Sequence, residues 1–189
     1  MKRPVSLLFL ASFALASVTS AAAESTLEKI TRTGTLTIGT RTGSPPFAYV
    51  NKQNEWVGFS IELVEQLILP SVSKKVGKTI TLAKKESAPA TRIPLLTSNA
   101  VDLIAETMTD TRSRRDSVDF SLTFFVTGAQ FLVKRGSPIK GIQSIKGKRI
   151  AAQQGATNAK IIRERVLGVM DQWGARLVSD HDLLVALLA

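Results

Sequence analysis

Strand and helix patterns alternate along the first half of the chain, and few folds other than a parallel α/β sheet accommodate that alternation. Thr35 to Arg41 alternates apolar and polar residues after the Thr33-Gly34 turn, which predicts a strand ending on an arginine. Ile80 to Ala83 predicts a second strand. Val101 to Ala105, almost wholly apolar, predicts a third, of the kind buried on both faces of a parallel sheet. Between the first two strands, Phe59 to Leu69 carries apolar residues at helical spacing, with Ser60 placed to cap and Pro70 to stop the helix. Between the second and third, Ala90 to Leu96 predicts a helix with Thr91 near its start and Pro94 in its first turn, where proline is tolerated. Strand, helix, strand, helix, strand makes one α/β lobe.

The same logic returns later. Lys148 to Gln153 predicts a strand, Thr157 to Leu167 a helix and Arg176 to Ser179 another strand. The two units are joined by segments expected to be extended, Val118 to Phe125 and Ala129 to Lys134, with the crossover near Phe125 to Ala129. Gly43-Ser44-Pro45-Pro46 predicts a loop, and the aromatics around it, Phe47, Tyr49 and Trp56, suit either a pocket wall or ordinary core. The expected division is a first lobe over residues 24–126 and a second over 127–189. The second is expected to be incomplete, because His181 to Ala189 opens a helical pattern that no later element follows. One reading of such a chain is a truncated, nonfunctional product that would expose apolar surface.

The amino terminus predicts export. Lys2 and Arg3 precede an apolar run from Val5 to Val18 and the small residues Ser20-Ala21-Ala22-Ala23, which is the pattern of a cleavable signal peptide over residues 1–23. The run is shorter than the roughly 20 residues that span a bilayer. A periplasmic protein starting near Glu24 is therefore expected. The sequence has no cysteine, which excludes disulfides and thiolate metal sites. The formal charge of +10 favours anionic partners in general. Nucleic acid is not among those expected, since the basic residues are scattered rather than interleaved with aromatics and the chain is exported.

In open α/β sheets ligands lie beyond the carboxyl ends of the strands, and those ends are polar here. Arg41 ends the first strand, Thr91-Arg92 opens the helix after the second, and Glu106-Thr107-Met108-Thr109 follows the third. A guanidinium matches a carboxylate in bidentate fashion, so two of them on one rim suit a ligand with two carboxylates. Taken singly, either arginine could be a surface charge. On the other side, Gln154-Gly155-Ala156-Thr157 lies between strand and helix, where backbone N–H groups and the Thr157 hydroxyl could meet an anion. No metal-ligand cluster, Ser-His-Asp or Cys-His set or phosphate loop is visible, so neither cofactor nor metal is expected and a binding protein is favoured over an enzyme.

The ordered segments Arg92-Ile93-Pro94-Leu95-Leu96, Val101-Asp102-Leu103, Thr107-Met108-Thr109, Arg114, Val118-Asp119-Phe120-Ser121, Lys146-Gly147-Lys148 and Gln154-Gly155-Ala156-Thr157 resemble those of family 3 bacterial extracellular solute-binding proteins. Within that family they look most like the glutamate/aspartate binders of ABC importers. The resemblance implies a type II periplasmic-binding-protein architecture of two lobes, a monomer that binds glutamate or aspartate between them, and a membrane permease as partner. It also implies roles. Arg92 would clamp the α-carboxylate, Arg41 the side-chain carboxylate, and Thr107 and Thr109 the α-substituents. Thr157 would close from the second lobe, and His181 would contact the side-chain carboxylate. Arg114 with Asp119 would serve a structural network. Three departures stand out, the most serious being that the family binds the ligand ammonium with an acidic residue further along the second lobe than this sequence reaches. Pro89 takes a place usually held by a serine, and Glu106 brings a carboxylate that opposes an anionic ligand unless it points away. An alternative on the same fold is a periplasmic arogenate or prephenate dehydratase, for which Glu106 is the one candidate acid.

Overall fold

The computed structural model describes residues 24–128, 130–145, 148–166 and 176–178. The segment predicted as a leader, residues 1–23, and the candidate His181 lie outside the described residues.

Helix α1 (Thr26–Thr33) starts at a capping box in which the Ser25 side chain accepts from the Glu28 N–H and the Glu28 carboxylate accepts from Ser25. It ends at Gly34 in the left-handed conformation, and β1 (Thr35–Thr40) follows directly. Residues predicted as loop then form part of a small antiparallel sheet: β2 (Gly43–Ser44) pairs with β3 (Ala48–Val50), and β3 with β4 (Trp56–Val57).

Helix α2 (Phe59–Leu63) continues through a π-helical turn, Val64–Ile68, into α3 (Leu69–Val76). Two expectations are corrected here. Ser60 does not cap this helix: it is buried, and Gly58 holds the cap at φ 119°, where an added Cβ would lie 2.6 Å from the Phe47 carbonyl oxygen. Pro70 does not stop the helix either. It is the second residue of α3, just after the π turn, and the helix runs on through it to Val76.

β5 (Thr81–Glu86), α4 (Arg92–Thr97) and β6 (Leu103–Ile104) complete the first unit. Its sheet is parallel in the order β5-β1-β6. The core lies between this sheet and the helices: Leu36 and Ile38 of β1 meet Ile61 and Val64, with Ile30, Ile80 and Ala105 around them. Each of the Leu, Ile and Val side chains contributes about 1.5–3 kcal/mol by leaving water. A buried carboxylate ties the elements together, since Asp102 accepts from Lys29 Nζ of α1 and from the Thr37 N–H of β1, both at 2.8 Å.

After α5 (Arg112–Arg115), residues 118–128 and 130–134 form no strand, although they were expected to be extended, and Leu122 and Val126 are fully exposed. Phe125 nonetheless packs edge-on against Phe47, with ring centroids 4.7 Å apart. A 3-10 turn, Ile142–Ile145, leads to β7 (Arg149–Ala151), α6 (Thr157–Ile161) with its π-helical continuation Ile162–Val166, and β8 (Arg176–Val178). β7 and β8 pair in parallel, so this second unit repeats the strand-helix-strand order of the first around a smaller core of Ile145, Ile150 and Ile162. No helix among the described residues is long and apolar enough to cross a membrane.

Candidate functional site

β1 is the central strand of its sheet: the chain moves from it to β5 on one side and then to β6 on the other. That reversal opens a crevice beyond the carboxyl ends of β1 and β6, where ligands of open α/β sheets bind. Thr40, the last residue of β1, is buried and donates through Oγ1 to the Ala105 carbonyl at 2.9 Å. It thereby fixes the spacing of the two residues that follow the strands, Arg41 and Glu106.

A cavity of about 880 Å³ lies at this end of the sheet, and Arg41, Arg92, Thr107, Thr109 and Thr157 all line it. Five of the six site residues expected from the sequence thus share one space, while His181 lies outside the described residues. Phe47 also lines the cavity; Tyr49 and Trp56, in β3 and β4, are not part of its wall. An adjoining basic cavity of about 620 Å³ lies toward Arg114, Lys160 and Arg163, away from the ends of β1 and β6.

Arg92 is the first residue of α4 and is almost fully buried. Its Nη1 donates to Glu106 Oε1 at 3.1 Å and to the Thr107 carbonyl at 2.8 Å, while its Nε has no hydrogen-bond partner among the described residues. Arg41 donates from Nη2 to Gln153 Oε1 at 2.6 Å, and its Nε stands 3.9 Å from Glu106 Oε2. Glu106 therefore does not point away from the cavity. Its side chain is completely buried between the two guanidiniums, and Oε2 accepts no hydrogen bond from any described residue.

Burial raises the Glu106 carboxyl above its ordinary value, against the downward pull of Arg92 and Arg41. The Ser87 hydroxyl lies close enough to add a small lowering effect, though neither it nor Oε2 meets hydrogen-bond geometry. Burial lowers the Arg92 guanidinium, and Glu106 opposes that shift. An arginine stays charged under any such shift, so the arrangement is a buried cation-anion-cation row with one anion too few.

Residues from the second unit close the other side. Gln153 was expected only as the end of a strand; it follows β7 and holds Arg41. An uncharged amide at a strand end gave no signal beyond its position. Gly155, at φ 75°, comes so near the first unit that an added Cβ would lie 2.7 Å from the Ala90 Cα. Arg114 reaches across as well, donating to the Thr109 carbonyl at 2.6 Å and the Gly155 carbonyl at 3.2 Å, and not only within its own lobe as expected. Thr157 opens α6, where Ala156 makes no side-chain cap.

Residues 36–185 match the family model described as bacterial extracellular solute-binding proteins, family 3. The chain belongs to that family. Among its family 3 relatives, a glutamate/aspartate import solute-binding protein of Salmonella typhimurium is 34% identical over 164 residues, covering 85% of this chain and 53% of the relative. A glutamine-binding protein of Geobacillus stearothermophilus is 34% identical, covering 78% of this chain and 56% of its own. The chain thus spans about half the length of these relatives. In structure it is similar to an ancestral amino-acid-binding protein described as a precursor of cyclohexadienyl dehydratase, with a TM-score of 0.70 at 27% identity over 86% of this chain and 67% of that one. The fold is that of the type II periplasmic amino-acid-binding proteins.

Proposed function

We propose that this protein is the periplasmic substrate-binding component of an ABC amino-acid importer and that it takes glutamate or aspartate between its lobes. Residues 1–23 direct export, residues 24–126 make the first lobe, residues 127–189 contribute to the second, and a membrane permease receives the ligand from a monomer. The observation that carries this reading is the placement of Arg41 and Arg92 on one cavity at the switch point of the sheet. Each guanidinium matches one carboxylate, and the pair matches a small dicarboxylate. Arg92 takes the α-carboxylate, and its buried Nε has no hydrogen-bond partner among the described residues. Arg41 exchanges Gln153 for the side-chain carboxylate. Thr107 and Thr109 line the first-lobe wall, Thr157 closes from the second lobe, and His181 adds to the side-chain subsite.

Two substitutions test this division. Arg41→Ala weakens glutamate and aspartate by about 10-fold or more while leaving a monocarboxylate such as glutamine within a few-fold. Arg92→Ala abolishes binding of every amino acid. Equal losses for acidic and neutral ligands in the two variants would contradict the assignment.

A further inference from the structure

Arg41 makes one hydrogen bond among the described residues, and its acceptor lies across the cleft: Nη2 donates to the Gln153 side-chain oxygen at 2.6 Å. The choice of donor matters. A guanidinium grips a carboxylate in bidentate fashion along one of two edges, Nε with Nη2 or Nη1 with Nη2, because the side chain's own Cδ blocks the third. Both edges contain Nη2. Elsewhere in this protein the first edge is used: Arg32 holds Glu24 through Nε and Nη2 at 2.7 and 2.8 Å, and Arg115 holds Asp110 through the same two atoms. Gln153 therefore occupies the one donor that Arg41 needs for any bidentate grip. The Arg41 side chain is only 16% exposed and Gln153 is half-buried, so water does not readily replace either partner. Glu106 does not fill the place, since its Oε2 stands 3.9 Å from Arg41 Nε, beyond hydrogen-bond distance.

The group that covers Arg41 is an amide, and that decides what can displace it. An amide oxygen brings a partial charge and one acceptor, whereas a carboxylate brings a full charge and two. A ligand amide would exchange like for like and gain nothing. The surroundings favour the anion as well, because Arg41, Arg92 and Arg114 are grouped around one carboxylate, Glu106.

We propose that Gln153 is a positioning residue that sets specificity through Arg41: its amide covers the donor common to both edges, so a ligand's side chain gains from Arg41 only by displacing it, which a carboxylate does and an amide does not. This rests on the reading of Arg41 as the side-chain subsite and names the group that guards it.

Calorimetric titration of the full chain with L-glutamate, L-glutamine and L-alanine, the last without a side-chain acceptor, tests the proposal. Wild-type protein is expected to bind glutamate about 10-fold or more tighter than alanine, and glutamine only within a few-fold of alanine. Gln153→Leu uncovers Arg41, and glutamate and glutamine then each strengthen by about 10-fold relative to alanine, the range of one hydrogen bond to a charged group. Gln153→Glu puts a carboxylate on the same donor, and glutamate falls to within a few-fold of alanine. A merely structural role for Gln153 would move all three ligands together and leave their ratios unchanged, which overturns the proposal. If Gln153→Leu does not fold, the Gln153→Glu ratio, from a side chain of nearly the same shape, decides alone. Glutamate no tighter than alanine in the wild type and in both variants overturns the acidic-ligand reading and this proposal together. A wild-type preference for glutamate that neither variant alters overturns this one alone.

Discussion

Three side chains, Arg41, Arg92 and Glu106, set the chemistry of the cleft. Burial holds the Glu106 carboxyl above the ordinary range, against the pull of Arg92 and Arg41. The folded protein therefore holds that proton more tightly than the unfolded chain, so ionising Glu106 costs stability as the pH rises through its transition. Glu106→Gln is expected to remove that part of the pH dependence. Urea denaturation of the two proteins at several pH values checks it, and identical profiles would contradict it. The arginines were legible in the sequence because each ends a strand or opens a helix in a clear alternating pattern. The placement of Glu106 was not, since a sequence shows that a carboxylate is present but not that two guanidiniums, one after a strand and one opening a helix, converge on it.

At the level of elements, the site depends on how firmly β1, β6 and α1 are tied together and how closely the second unit approaches. Asp102 bonds both Lys29 and the β1 backbone from a buried position. Asp102→Ala leaves the Thr37 N–H without its partner and Lys29 with only the Asn99 carbonyl, and is expected to cost about 1–3 kcal/mol of stability, read from urea denaturation. A loss below about 1 kcal/mol would mean that the pair holds nothing in place. Gly155→Ala tests the approach, because the new Cβ would meet the Ala90 backbone and the residue sits at positive φ. It is expected to weaken glutamate by about 10-fold or more. Gly141→Ala, in open space, serves as the control and is expected to change nothing. The alternation of strands and helices predicted β1, β5, α4, β6, β7 and β8 to within a few residues. It failed at Pro70, where a π turn absorbs the proline, and at Gly43-Ser44, where a two-residue strand is too short to show any period.

Over the whole molecule, two strand-helix-strand units face one another across a cavity built at the switch point of the first sheet. Among the described residues the two units meet where Arg41 holds Gln153, where Arg114 donates to the Gly155 carbonyl, and where Gly155 comes close to the Ala90 backbone. Under the proposed function, a ligand that bridges the two units decides the balance between open and closed arrangements. The ligand's identity then follows from which charges it can satisfy on both sides. Calorimetric titration of the wild-type chain with L-glutamate, L-glutamine and L-arginine tests this most directly. The account predicts saturable binding with glutamate the tightest of the three, glutamine weaker and arginine weakest. Arginine or glutamine binding more tightly than glutamate, or no saturable heat with any of them, would contradict it.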